Sequence, residues 1–185
     1  MCLILFTTNG VNAQNDWSRW RGPSGNGIAE SKTAPLVWGE NENVIWKTKV
    51  PGRGHASPLI VGDKIFLTTA VKEDQTQSVI CYDRKDGETL WVTNVNQGGW
   101  QKRIHPKNTH ATATIATDGK RLFAVFSQHN NIHLVGLDFE GEELWKTDVG
   151  VYSPVYPFGY GSTPIVDGTR VIVNNENQVQ SAIVA

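Results

Sequence analysis

The sequence predicts an all-β fold, a β-propeller of four-stranded antiparallel blades, of which about two and a half are present. The first observation is a tryptophan repeat, since Trp46, Trp91 and Trp145 recur at intervals of roughly 50 residues in similar surroundings. The second is that each interval contains short runs of strand-forming residues separated by turn signals. A β-sandwich would explain these runs but not their periodicity, so the repeat favours the propeller.

The tryptophans belong to a longer motif that occurs twice in full, at residues 83–91 and 138–145. Each copy begins with an aspartate, has a glycine at its turn and ends with the tryptophan. We expect the aspartates to hydrogen-bond the turn backbone and the tryptophans to fill the space between neighbouring blades. None of these residues is predicted to act as an acid or a base. The structural repeat consists of Trp46, Asp83, Gly87, Trp91, Asp138, Gly141 and Trp145.

Two segments precede the repeats. A short apolar run at residues 3–6 and small residues before Gln14 resemble a truncated signal peptide over residues 1–13, which predicts an exported protein. An irregular N-terminus is the alternative interpretation. Residues 14–50 are predicted to form an arm rich in turn-forming residues, followed by the strand around Trp46 that leads into the first repeat.

The remaining chain divides into three blade repeats. Residues 51–95 form the first, residues 96–149 the second and residues 150–185 a partial third. The first strand of each repeat begins with small residues, which suits the crowded centre of a propeller. The predicted strands are 56–61, 64–69, 78–82 and 89–95, then 111–116, 121–127, 132–137 and 143–149, and finally 161–166, 170–174 and 181–185.

The composition excludes several classes of protein. The chain has 17 basic and 18 acidic residues and a formal net charge of −1, without a basic stripe, so we expect no nucleic-acid partner. No apolar run is long enough to span a membrane, so no transmembrane segment is predicted. Of the two cysteines, Cys2 lies in the predicted leader and Cys81 in a strand, where a lone cysteine is most often a small buried side chain. The cysteines therefore predict neither a disulfide scaffold nor a metal site.

The motif resembles the repeats of a known family. Asp-x-x-Asp-Gly-x-x-x-Trp at residues 83–91 and Asp-x-x-Gly-x-x-x-Trp at residues 138–145 are similar to the repeats of pyrroloquinoline-quinone-type (PQQ-type) β-propellers. This group includes quinoprotein alcohol dehydrogenases and the outer-membrane assembly lipoprotein propeller. The opening at residues 16–27 also resembles secreted propellers of this type from environmental bacteria. The resemblance covers residues 16–185 and implies a propeller of about eight blades in all.

The resemblance also raises the question of a cofactor. Quinoprotein dehydrogenases typically hold PQQ with a disulfide between adjacent cysteines, a calcium site and a catalytic aspartate. This sequence contains no adjacent cysteines and no clustered carboxylates. PQQ with calcium is therefore implied by the resemblance alone, whereas the residues themselves predict no cofactor, no metal and no assignable catalytic residue.

The loops between blades are the predicted site of binding. In a four-stranded meander, they all emerge at one end and surround the mouth of the central channel, where a rigid scaffold presents them. They cover residues 51–55, 96–110 and 150–160. The ligand-binding candidates in these loops are Arg53, His55, Trp100, His105, Lys107, Asn108, His110 and Tyr160.

Two alternatives remain open for these candidates. His55 and His110 occupy the same position in the repeat, where each could contact a ligand or cap an inner strand by a hydrogen bond. Together they could share a metal ion, but a third ligand is not evident. Tyr160, with Tyr152 and Tyr156, could stack on a sugar or quinone ring or pack within its own loop.

The function predicted from these observations is that of a periplasmic or secreted β-propeller, a scaffold that binds a protein partner or a small polar ligand. The alternative is a PQQ-dependent dehydrogenase of alcohols or sugars whose catalytic residues lie in further blades. The residues of this chain favour the scaffold, because one fold hosts many functions and no catalytic constellation accompanies the repeat.

Overall fold

The computed structural model describes residues 16–29, 34–176, 178 and 181–185. Those residues form eleven β-strands in three antiparallel sheets, with no helix among them. In this part of the chain, therefore, no helix is long or apolar enough to cross a membrane. The predicted signal peptide at residues 1–13, with Cys2, lies outside the described residues.

Each sheet is an antiparallel meander in which consecutive strands are neighbours. The first contains β1 (Leu59–Val61), β2 (Lys64–Val71), β3 (Thr76–Asp83) and β4 (Thr89–Gln97). The second contains β5 (Ala116–Thr117), β6 (Arg121–Gln128), β7 (Asn131–Asp138) and β8 (Glu143–Val151). The third contains β9 (Ile165–Asp167), β10 (Arg170–Asn175) and β11 (Ala182–Val184). The prediction of four-stranded antiparallel blades is confirmed, and the three sheets do not close into a ring within the described residues.

The innermost strands are shorter than predicted. The sequence predicts the first strand of the second repeat over residues 111–116, but only Ala116–Thr117 pairs within its own sheet. The preceding residues bond to the neighbouring blade instead, since the His55 N–H donates to the Ala111 carbonyl at 2.9 Å and the Ser57 N–H donates to Thr114 Oγ1 at 3.0 Å. The centre is thus held together across blades, which satisfies the backbone without a continuous ladder.

The core lies between the sheets, and strand β6 shows how it is built. Every residue from 122 to 128 is buried. Because successive side chains of a strand point to opposite sides of the sheet, both faces of β6 are buried. Leu122 and Phe126 pack towards the first sheet, whereas Phe123 and Val125 pack towards the third. An apolar run without polar alternation therefore marks a strand with a blade on either side.

The tryptophans join consecutive blades by a repeated contact. The Trp46 indole N–H donates to the Arg84 carbonyl, and the Trp91 indole N–H donates to the Phe139 carbonyl, each at 3.0 Å. Two residues after each tryptophan, a threonine hydroxyl donates to the carbonyl of the glycine in the same turn. These bonds join Thr48 to Gly87 at 2.7 Å and Thr93 to Gly141 at 2.6 Å.

The aspartates of the repeat bind the turns on which the tryptophans rest. Asp83 Oδ1 accepts the Lys85 N–H at 2.7 Å, and Asp138 Oδ1 accepts the N–H groups of Glu140 and Glu142 at 3.0 and 2.8 Å. Hydrogen bonds of this kind fix a turn. The aspartates therefore shape the surface that receives the tryptophan of the preceding blade.

Candidate functional site

Two long loops meet at one end of the blades. The loop between β4 and β5 covers residues 98–115, and the loop between β8 and β9 covers residues 152–164. The β6–β7 turn joins them, because the His129 N–H donates to the Gly99 carbonyl at 2.7 Å and the Tyr152 N–H donates to the Asn130 carbonyl at 2.6 Å. The His105 N–H also donates directly to the Pro157 carbonyl of the other loop. This end of the molecule is therefore one connected loop surface.

A cleft of about 730 Å³ lies between the two loops, and we call it the loop cleft. Residues 99–103 form one wall, while Pro154, Val155 and Pro157 form the other. His129 and Asn130 of the β6–β7 turn complete the lining. A cleft of this volume is within the range of small-ligand sites.

Trp100 is positioned in the loop cleft by His110. The two rings lie with their centroids 4.0 Å apart and their planes inclined by 31°. Burial lowers the pKa of His110 to about 4, so the imidazole is neutral at pH 7. Its backbone carbonyl accepts a hydrogen bond from Gln77 Nε2 at 2.7 Å, which fixes it to the first blade. His110 is thus a support for the indole and faces Trp100 as an uncharged ring.

The loop cleft has two buried polar atoms without a partner among the described residues. They are the Trp100 indole Nε1 and the Gln101 side-chain Oε1, one a donor and the other an acceptor. Buried polar groups are nearly always hydrogen-bonded in folded proteins, so such atoms require an explanation. Trp100 and Gln101 line the same wall of the cleft, and each has one buried polar atom without a partner.

Arg53 and His55 lie apart from the loop cleft. The backbone of Arg53 pairs with Ala70 through two hydrogen bonds of 2.9 and 3.1 Å, and the residue lines a separate cavity of about 320 Å³. His55 is exposed, and its backbone N–H donates a hydrogen bond to the Ala111 carbonyl. Within the described residues, the two equivalent histidines, His55 and His110, make no side-chain hydrogen bond, so the structure does not show the strand-capping bond that was one alternative.

His105, Lys107 and Asn108 lie on the same loop, beside the cleft. His105 and Lys107 are exposed, and His105 Nδ1 accepts the Lys107 N–H at 3.2 Å. Asn108 uses its side chain within the loop, since its Oδ1 accepts the Thr112 hydroxyl at 2.7 Å and the Thr109 N–H at 2.8 Å. The first two are therefore open to a partner, whereas Asn108 holds the loop in shape.

Tyr160 is placed in the core between the second and third sheets. Its hydroxyl donates to the Asn174 carbonyl at 2.9 Å, and its ring meets Tyr152 edge-on at 5.6 Å. Burial raises the pKa of its phenol, which keeps the hydroxyl protonated. Of the three loop tyrosines, Tyr156 is the exposed one, with 63% of its surface accessible. The structure thus gives Tyr160 a packing role and does not bring it into the cleft.

The residues that sequence reasoning missed are Gln101, Lys102, Arg103 and His129, all of which line the loop cleft. A charge signal could have found two of them. The loops at residues 51–58, 98–115 and 152–164 contain four lysines and arginines and no aspartate or glutamate, although the whole chain carries a net charge of −1. Lys102 and Arg103 make no ion pair within the described part of the chain.

The described residues supply no cluster of carboxylates that could hold the calcium ion of a PQQ site. Within the described residues, no three side chains of histidine, cysteine, aspartate or glutamate converge. Cys81 is buried in β3 with no disulfide to any other residue in the described ranges, and burial raises the pKa of its thiol to about 11. Calcium sites in proteins commonly include aspartate or glutamate carboxylates, and the loops at residues 98–115 and 152–164 contain neither.

The chain is similar to a known family and to several solved structures. The model of the family described as outer membrane protein assembly factor BamB matches residues 29–150 and, in a second alignment, residues 75–184. No curated protein matches the sequence at a significant level. Among solved structures, 28 chains match significantly.

Two of these structures illustrate the likeness. A europium-containing methanol dehydrogenase aligns with a TM-score of 0.56 and 17% identity, over 90% of this chain and 28% of that chain. BamB from Moraxella catarrhalis aligns with a TM-score of 0.46 and 18% identity, over 69% of this chain and 36% of that chain. The chain therefore spans between 28% and 36% of the length of these two proteins. At 17% identity, the likeness to the methanol dehydrogenase shows the fold alone.

The family match covers far more than half of the sequence and contains the full tryptophan repeat. It agrees with the three antiparallel sheets and confirms the resemblance to PQQ-type propellers that the repeat motif carries. The chain is a PQQ-type β-propeller repeat protein and belongs to the family of outer membrane protein assembly factor BamB.

Proposed function

We propose that the chain forms part of a periplasmic β-propeller that acts as a protein-interaction scaffold and meets its partner with the loop end of its blades. The observation that most directly supports this proposal is a group of exposed apolar side chains on one rim of the loop cleft. Tyr156 and Phe158 lie with ring centroids 5.7 Å apart, are 63% and 58% exposed, and adjoin Val155, which is 55% exposed. Exposed apolar patches next to polar residues are typical of protein-binding surfaces.

The cationic wall of the cleft supports the same proposal. Arginine and aromatic residues are enriched where protein partners bind, and here Arg103 and Trp100 line one wall while the exposed aromatic rings lie beside the other. The family description, which names an assembly factor of the outer membrane, agrees with a periplasmic scaffold. The resemblance of residues 1–13 to a signal peptide agrees with export.

The alternative is a PQQ-dependent dehydrogenase, for which the methanol dehydrogenase likeness gives a shared fold. The described residues supply neither the calcium ligands nor the adjacent cysteines that such a site typically uses. We therefore rank the scaffold first. The alternative is tested by adding PQQ and calcium to the purified protein and measuring dye-linked oxidation of alcohols, which we expect to stay at background.

Photo-crosslinking in the source bacterium tests the scaffold. A photoreactive amino acid replaces Tyr156 at the loop end, and in a control protein it replaces Lys120 in the β5–β6 turn. We expect a discrete protein adduct from position 156, reduced by about tenfold or more when Phe158→Ser is added, since a few central aromatic residues dominate most interfaces. Equal adducts from both positions, or none from position 156, would contradict the proposal.

A further inference from the structure

We propose that the loop cleft binds an acidic peptide segment of the partner, an inference that rests on the proposed scaffold function and names the chemistry of what it recognises. The cleft presents Lys102 and Arg103 beside Trp100 on one wall and an apolar face at Val155 and Pro157 on the other. Three separate features of this cleft point to the same ligand.

The first feature is uncompensated positive charge. Lys102 and Arg103 are exposed, make no ion pair among the described residues and share a lining that contains no acid. Asp74, in the neighbouring β2–β3 turn, already accepts hydrogen bonds from the backbone N–H and the hydroxyl of Thr76. A cleft of one charge sign focuses its field and attracts the opposite charge, here a carboxylate.

The second feature is the unpaired donor and acceptor. Trp100 Nε1 and Gln101 Oε1 are two of three buried unpartnered side-chain atoms in the described chain, the third being the Tyr82 hydroxyl. A peptide group offers one N–H and one C=O, which complement this pair, whereas a simple carboxylate has no donor for Gln101. Both atoms are buried, so contact with a peptide requires a local rotation of these side chains. The pair therefore favours a peptide over a free anion.

The third feature is the apolar wall. Pro154, Val155 and Pro157 face the cations across a cleft of about 730 Å³, and Tyr156 and Phe158 are exposed beside them. Prolines restrict the backbone, so this wall loses little conformational freedom when a ligand binds. An acidic side chain flanked by apolar residues fits this division of charge and apolar surface.

Fluorescence anisotropy with defined peptides tests the inference on the intact protein. The probe is a labelled peptide of alternating glutamate and leucine, and its control is the same peptide with glutamine for glutamate. We expect the glutamate peptide to bind about tenfold more tightly at low salt and to weaken as salt screens the charges. Equal binding of the two peptides would overturn the proposal.

Variants locate the binding. The double substitution Lys102→Gln and Arg103→Gln is expected to weaken binding of the glutamate peptide about tenfold. Lys120→Gln in the β5–β6 turn should leave the affinity unchanged. Trp100→Phe keeps a ring on His110 but removes the indole N–H. We expect it to weaken binding of the peptide without affecting binding of succinate, a free anion that has no peptide group. Insensitivity to the double substitution, or succinate binding as tight as the peptide, would also overturn the proposal.

The outcome is distinguishable from failure of the scaffold itself. If the peptide does not bind but the photo-crosslink at position 156 persists, the scaffold stands and the acidic peptide is wrong. If neither occurs, the scaffold is wrong as well. Lys102 and Arg103 are exposed, so thermal melting of the double variant should match that of the parent protein and confirm that it is folded.

Discussion

At the scale of single residues, His55 and His110 show that equivalent positions in a repeat can have different environments. The segment before His110 is long enough for Trp100 to fold back onto the imidazole, with the ring centroids 4.0 Å apart. The loop before His55 contains only residues 51–54 and leaves its imidazole exposed. A repeat position thus determines where the backbone runs, while the length of the preceding loop determines what covers the side chain.

The half-buried His110 makes stability depend on pH. Burial lowers its pKa from 6.5 to about 4, so between these values the unfolded chain binds more protons than the folded one. The part of the stability that depends on a neutral His110 is fully present above about pH 6.5 and is lost as the pH falls towards 4. We expect His110→Phe, which keeps an aromatic ring against Trp100, to reduce the drop in melting temperature between about pH 7 and about pH 5.

His55→Phe is the matched control, because the exposed imidazole occupies the same repeat position. This variant should keep the pH dependence of the parent protein. His133, whose pKa burial also lowers, is retained in both variants and cancels in the comparison. If the two variants lose stability equally between these pH values, His110 does not contribute as argued.

The candidate site was predictable from sequence only in outline. The repeat assigns the loop of Trp100 and His110 to one end of the blades, and a ligand-binding role of either residue stays a prediction. Lys102 and Arg103 are not among the predicted residues. The side chains that line a cleft depend on how residues 99–103 and 154–157 face each other, and neither loop has the regular residue spacing that makes a strand predictable. Tyr160 was grouped with ligand-binding residues because a loop tyrosine gives no sign that the third sheet will bury it.

At the scale of elements, the unit of assembly is a tryptophan and a threonine of one strand resting on the turn of the next blade. The geometry requires glycine in that turn. Gly141 has a φ of +89°, and a Cβ atom there would lie 2.6 Å from Cδ2 of Trp91. The same residue offers its carbonyl to Thr93 at 2.6 Å. Backbone conformation and side-chain packing therefore both exclude a larger residue.

Gly141→Ala separates these two effects when it is compared with Gly119→Ala. Gly119 has a φ of +85° but nothing within 4 Å of a Cβ atom, so alanine there should cost about 1 kcal/mol from the left-handed backbone alone. At Gly141 we expect a further loss of about 1–3 kcal/mol from displacement of Trp91. Denaturant unfolding measures both values, and equal losses would show that packing against Trp91 is not important.

The same scale shows where strand prediction failed. Alternation and turn signals located β2 to β4 and β6 to β8 well, because these strands pair within one blade. Residues 111–115 look equally strand-like, but Ala111 and Thr114 accept hydrogen bonds from the preceding blade. Local sequence indicates which residues favour an extended backbone. It does not indicate whether they hydrogen-bond within their own blade or to the neighbouring blade, which depends on how the blades are arranged.

At the scale of the whole molecule, the described chain leaves apolar surface at both sides of its stack of sheets. The segment at residues 44–50 rests on the first blade through Trp46 and Thr48, like β4 on the second blade, yet no strand pairs with it among the described residues. Ile45 in this segment is 92% exposed. At the other side, Ile183 of the edge strand β11 is 77% exposed. Unpaired edges of this kind template pairing with another chain.

We therefore expect the 185-residue chain to self-associate or to bind a hydrophobic dye, as measured by light scattering over a range of concentrations and by dye fluorescence. Ile45→Lys should reduce the association, because a charge on an exposed edge segment opposes pairing. Ile28→Lys is the control, since Ile28 is also exposed but lies in the N-terminal arm and outside residues 44–50. A monodisperse monomer with a cooperative melt would contradict the argument. An equal effect of both substitutions would instead assign the association to general apolar exposure and not to residues 44–50.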